Sequence, residues 1–173
     1  GRGGMGVVYD ALDTRINRRV ALKTLTSGDG EVTRIIRFQR EVEIASKLKH
    51  PTIVTIYDVG IIEQVPYFAM EFIEGESLAQ LVAAEKRLPP RAAARVVRDV
   101  ARALAHAHEH GAVHRDVKPQ NVMVEAKEPD ASATITSVGG KSDTSLKLST
   151  GRSFADFRVV LTDFGLAREL TEQ

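Results

Sequence analysis

His114-Arg115-Asp116-Val117-Lys118-Pro119-Gln120-Asn121 places a carboxylate, an ammonium and a carboxamide within eight consecutive residues. Asp116 can take or orient a proton, and Lys118 two positions on brings a cation beside it. Asn121, five positions after Asp116, offers an amide oxygen, a hard ligand suited to Mg²⁺. Taken alone, a turn that happens to use His, Asp, Pro and Asn is the plainer account of such a stretch. What stands upstream and downstream decides between the two.

Downstream, Val159-Val160-Leu161 leads into Asp163-Phe164-Gly165. Upstream, Val20-Ala21-Leu22 is a short apolar run closed by Lys23, a cation that is costly to bury without a partner. Further upstream stands Gly1-Arg2-Gly3-Gly4-Met5-Gly6-Val7-Val8. Glycines in that pattern let phosphates approach backbone N–H groups where a β-carbon would obstruct them. A lone glycine motif is weak evidence, and a glycine hairpin without a ligand is its bland reading. All four motifs in this order carry more: together they resemble the signature set of the bacterial eukaryotic-like (Hanks-type) Ser/Thr protein kinases.

The resemblance implies an α+β, bilobal protein-kinase-like fold. Residues 1–73 would form an antiparallel β-sheet N-lobe with its helix and hinge. Residues 74–173 would form the first, mainly helical part of the C-lobe. It also implies ATP and Mg²⁺ (or Mn²⁺) as cofactors. Gly1, Gly3, Gly4 and Gly6 would cradle the phosphates; Val8 and Ala21 would cover the adenine, and Met123 would form its floor. Met70 matches the gatekeeper, Glu71-Phe72-Ile73 matches the hinge, and Ser77 is counted with the nucleotide-binding residues. Lys23 would contact the α- and β-phosphates, held by Glu41 with Glu43 as second choice, and would join Asp116 and Lys118 as the catalytic set. Asn121 and Asp163 would hold the metal, Phe164 would pack under the Glu41 helix, and Gly165 would allow the turn. Lys118 is typical of Ser/Thr-directed members, and Arg115 resembles the class whose activation segment is ordered by phosphorylation. His114 is read as core packing.

Periodicity gives the elements around these motifs. Residues 1–25 read as three strands about a glycine turn, residues 31–49 as a helix ended by His50-Pro51, and Ile53–Val59 and Tyr67–Phe72 as strands. Gly75 reads as a break in the strand pattern, and Ser77 as the cap of a short helix, Leu78–Ala84. A helix over about 91–110 carries Val96, Val97, Val100, Leu104 and Ala107 on one face and ends at Gly111. Val122–Val124 and Val159–Leu161 are short strands, and between them the family has a tight connection. Here residues 125–158 intervene, with ten Ser or Thr and three Gly among the 23 residues from Ala131 to Ser153. That composition predicts a low-complexity surface insertion, with a weak strand at Ser145–Leu148.

The 173 residues carry 43% hydrophobic and 27% charged side chains, a net charge of +1 and no cysteine. Nucleic-acid binding and a polybasic membrane contact have no support in that charge; disulfide and thiolate chemistry are excluded. No apolar run approaches the ~18 residues of a membrane span, so the expected location is cytoplasmic, with any anchor of the parent protein elsewhere. His106, His108, His110 and His114 invite a zinc reading, but the H-E-x-x-H pattern is missing, and structural roles are preferred. The sequence thus predicts a Ser/Thr protein kinase acting on protein hydroxyls, with self-association for autophosphorylation. The motifs start at Gly1 and the chain stops eight residues after Gly165, which predicts a partial domain, inactive in isolation. The competing readings are an ATP-binding regulatory module without catalysis and a small-molecule kinase of related fold.

Overall fold

A computed structural model describes residues 2–3, 6–25, 46–63, 65–126, 146–147, 153–154 and 156–164. Most of the helix expected over 31–49, with Glu41 and Glu43, lies outside them, as do Gly1, Gly4 and Gly165.

Strands β1 (Arg2–Gly3), β2 (Gly6–Asp13), β3 (Arg18–Leu25), β4 (Ile56–Ile62) and β5 (Val65–Glu71) form one antiparallel sheet in the order β1-β2-β3-β5-β4. Strand β5 alternates strictly, with Pro66, Phe68 and Met70 buried, as a sheet with one covered face requires. The register sets Ala21 opposite Met70 and Lys23 opposite Phe68. Strand β4 starts later than the apolar run suggests. Ile53 is 2% exposed and bridges Leu161 in parallel. Val54 N–H donates to the Leu161 carbonyl at 3.0 Å, and Leu161 N–H to that of Thr52 at 2.7 Å. The first apolar residues of this run therefore dock the connection onto a second sheet.

That second sheet has the order β10-β7-β6, from β6 (Gly75–Ser77), β7 (Val122–Ala126) and β10 (Phe157–Leu161). Strand β6 corrects the reading of Gly75 as a breaker. Gly75 pairs with Glu125, and a Cβ there would stand 2.1 Å from the Val124 carbonyl oxygen. The glycine permits close backbone approach within a strand. Strands β7 and β10 are also longer than expected. Glu125, Ala126, Phe157 and Arg158 belong to their ladder and not to the insertion. Phe157 is fully buried, continuing the inward set Phe157, Val159 and Leu161. Within the inserted stretch, β8 (Leu146–Lys147) pairs with β9 (Ser153–Phe154), and β8 overlaps the expected weak strand.

Helix α1 (Leu78–Glu85) begins at a capping box in which the Ser77 hydroxyl accepts from Gln80 N–H and the Gln80 side chain returns to Ser77 N–H. Helix α2 (Pro90–Glu109) starts on a proline, whose fixed φ suits the first turn. Ala92, Val96, Val100, Ala103 and Ala107 recur at three- and four-residue steps and are buried. Val97, expected on the same face, is 68% exposed: one residue turns about 100° round the helix, away from Val96. Gly111, at φ +74°, follows the cap residue His110 and ends the helix in the left-handed conformation.

One core packs α1 and α2 against the three-stranded sheet; a second gathers Ala21, Val54, Phe68, Met70 and Val160. Among the described residues no helix is long and apolar enough to cross a membrane.

Candidate active site

The stretch from His114 to Asn121 leaves α2 and enters β7 through a 3-10 turn, Pro119–Asn121. Its anchor is His114, 1% exposed, whose Nε2 lies 2.9 Å from the Thr162 carbonyl and whose ring packs 4.6 Å from that of Phe164. Thr162 N–H in turn donates to the Asn121 carbonyl at 2.8 Å, and its hydroxyl to the same oxygen at 3.2 Å. Thr162 thus ties the 114–121 loop to the segment that carries Asp163. Arg115 (φ 62°) and Asp163 (φ 60°) hold left-handed backbone conformations, which non-glycine residues adopt at a cost.

Within the loop, the carboxylate of Asp116 lies 2.7 Å from Lys118 Nζ and accepts from Asn121 Nδ2 at 3.1 Å. The same amide nitrogen donates to the Asp116 carbonyl at 2.9 Å. The hydrogen bond from Lys118 holds Asp116 below the ordinary carboxylate range; burial opposes this and the Asn121 bond adds to it. Burial pushes the His114 imidazole down, against the Thr162 carbonyl and the nearby charges of Asp116 and Asp163.

Lys23 reaches this region from β3. It is 7% exposed, and its Nζ is 2.6 Å from Asp163 Oδ1. Glu41, the partner expected from sequence, lies outside the described residues. Beside this pair, the second core collects five residues expected around an adenine: Val8, Ala21, Met70, Ile73 and Met123. Gly3 pairs with Gly6 across the antiparallel strands β1 and β2. The Glu71 side chain is engaged with Arg158, and the Ser77 hydroxyl with the α1 cap; Ser77 stands in register with Met123. His50, His106 and His110 form a ring stack, with centroids 5.3 and 4.3 Å apart. Among the described residues no three His, Asp or Glu are placed to hold a metal ion.

Sequence reasoning missed Thr162 and Arg158. Thr162 has one signal, its place directly before Asp163. Arg158 had none, because it fell in the stretch read as insertion.

A family model for the protein kinase domain matches residues 1–173. The chain belongs to the protein kinase family. It is 41% identical over 128 residues to the serine/threonine-protein kinase PrkC of Bacillus subtilis, a match covering 72% of this chain and 19% of that protein. It is 40% identical over 131 residues to PknB of Mycobacterium tuberculosis, covering 73% of this chain and 21% of that protein. Among solved structures, the PknI kinase domain of Mycobacterium tuberculosis superposes with a TM-score of 0.69 at 31% identity, covering 96% of this chain and 57% of that one. The chain thus spans about a fifth of the curated relatives it matches and just over half of the solved kinase domain. Protein kinases use ATP with a divalent metal ion. The oxygens of Asp163 and Asn121 fit such an ion, because Mg²⁺ is held by one or two carboxylates plus substrate phosphates and needs no all-protein cage.

Proposed function

We propose that this chain carries the nucleotide site and catalytic loop of a Ser/Thr protein kinase that moves the γ-phosphoryl group of ATP to protein hydroxyls. One observation carries the reading. The Lys23–Asp163 pair, buried at its lysine end, and the Asp116–Lys118–Asn121 group are locked to each other through Thr162 and His114.

In this reading Asp116, kept ionised, orients the acceptor hydroxyl and takes its proton as the oxygen bonds to the γ-phosphorus. The β–γ bridging P–O bond breaks, and ADP leaves with that electron pair. Lys118 places its charge beside the moving phosphoryl group. Lys23 pairs with the α- and β-phosphates and steadies Asp163. Asn121 commits its amide nitrogen to Asp116, which leaves the amide oxygen as the end for a cation. Bound magnesium supplies charge neutralisation on the phosphates. Glu41 and the glycines of residues 1–6 keep their assignments from the family pattern, and so does Ser77. Residues 1–73 and 74–173 are the two lobes of this proposal, with the inserted stretch on the second. Protein substrates with serine or threonine acceptors follow, a second copy of the enzyme among them, in the cytoplasm where ATP is available.

The test is phosphoryl transfer from ATP and Mg²⁺ by the full-length protein, beside an Asp116→Asn variant. Transfer to serine or threonine that the variant loses supports the reading. A wild-type protein that binds no nucleotide, or a variant with undiminished turnover, overturns it.

A further inference from the structure

Residues 72–74 link β5 of the five-stranded sheet to β6 of the three-stranded one, and arginines grip this link from both sides. From β10, the Arg158 guanidinium forms a fork with the Glu71 carboxylate: one nitrogen meets Oε1 and the other lies 3.2 Å from Oε2. The same guanidinium donates through Nε to the Pro51 carbonyl at 3.0 Å and stands 3.5 Å from Glu125, its cross-strand partner. Glu125 in turn accepts from Glu74 N–H at 3.0 Å. From β3, Arg19 stacks 3.7 Å over the Phe72 ring and donates to Glu74 at 2.7 Å and to Asp10 at 2.8 Å.

Exposed ion pairs contribute little, and the Arg19 contacts, half exposed, are of that kind. The Arg158 contacts differ. Its side chain is 26% exposed, those of Glu71 and Glu125 are 20% and 22%, and one planar fork meets three separate segments. A fork fixes direction as well as distance, which a lysine ammonium does not. Burial raises the Glu71 carboxyl, and the hydrogen bond and charge of Arg158 more than reverse it, so the pair stays ionised near neutrality. Glu71 N–H also donates to the Thr55 carbonyl at 2.8 Å, so a fixed side chain and a fixed amide together leave this residue one backbone path.

We infer that Arg158 is a positioning residue for nucleotide binding: by holding Glu71 against the three-stranded sheet it sets the hinge path, and so the affinity for the adenine end of the nucleotide, without touching it. The inference rests on the reading of residues 71–73 as the adenine-binding hinge.

The experiment measures binding of adenosine, which has no phosphates, and of ATP with Mg²⁺ to the full-length protein, with KM and kcat. Arg158→Ala is expected to weaken both ligands by the same factor, about tenfold if one hinge conformer in ten remains competent. It should raise KM for ATP equally and leave kcat at saturation unchanged. Arg158→Lys should recover only part of the loss, because it keeps the charge and not the fork. If Arg158→Ala does not fold, Arg158→Gln keeps most of the side-chain volume while removing the charge and the fork, and gives the same readout. Adenosine affinity unchanged in these variants, or a lowered melting temperature with KM intact, overturns the role of Arg158 alone. A wild-type protein that binds no adenosine overturns the nucleotide reading and this inference with it.

Discussion

Lys23 Nζ and Asp163 Oδ1 lie 2.6 Å apart although 140 residues separate them in the chain. Lys23 is buried on β3, where an ammonium is costly to hold without a partner. Asp163 supplies one, from a left-handed position set by Thr162 and His114 behind it. Replacing either partner should strand the other. Lys23→Met or Asp163→Asn is expected to lower kcat/KM for phosphoryl transfer by about a hundredfold or more, the scale of losing one preorganised electrostatic contact. Steady-state kinetics on the full-length protein checks this. Turnover within a factor of a few of wild type would remove the pair from the site.

Asp116 makes a separate contribution. Its hydrogen bonds from Lys118 and Asn121 keep it ionised, which a proton acceptor requires. Asp116→Asn should reduce kcat by about 10²–10⁴-fold, the usual range for a positioned acid–base group, with nucleotide affinity near wild type. Isothermal titration with a nucleotide, set beside kcat, separates the two effects. A parallel loss of binding would show that Asp116 shapes the nucleotide pocket.

The candidate residues are easier to read in the sequence than the frame around them. Lys23, Asp116, Asn121 and Asp163 each stand in a short motif whose chemistry is local, so one-dimensional spacing suffices to nominate them. What it could not show depends on distant partners. Gly75 looked like a break because glycine disfavours strands, and only the neighbouring Val124 carbonyl explains why it is needed inside one. Phe157 and Arg158 read as insertion because the Ser/Thr-rich stretch ends only four residues before Phe157. Their partners Ala126 and Glu125 lie on the far side of that segment. Apolarity alone puts Val97 on the buried face of α2, yet it points outward. Helix phase, not residue type, decided that position.

Gly75→Ala tests the close approach in β6. The new methyl would sit 2.1 Å from a backbone oxygen that is itself fixed in β7, so the strands must part. A cost of about 1–3 kcal/mol is expected, as for overpacking elsewhere. Because Ser77 follows two residues on and caps α1, the start of that helix should loosen as well. Denaturant unfolding gives the first quantity, and amide exchange at Gln80 the second. An unchanged midpoint would mean that β6 is free to shift.

His114 predicts an acid limb in stability. Burial lowers its pKa in the folded protein below the ordinary imidazole value of 6.5, so the unfolded chain takes up the proton first. The stability it contributes is complete above that value, and is lost progressively as pH falls from there toward the folded pKa. Burial lowers the pKa of His50 as well. The difference between wild type and His114→Phe isolates the His114 share. The variant keeps the ring against Phe164 and leaves the Thr162 carbonyl without its imidazole partner, a loss of about 1–3 kcal/mol at neutral pH. Below pH 6.5 that difference should shrink, because only the wild type bears the protonation penalty. Unfolding free energies measured for both proteins across this window check the slope. A difference that stays constant would show that folding leaves the His114 pKa unshifted, and one that grows on acidification would show that folding raises it.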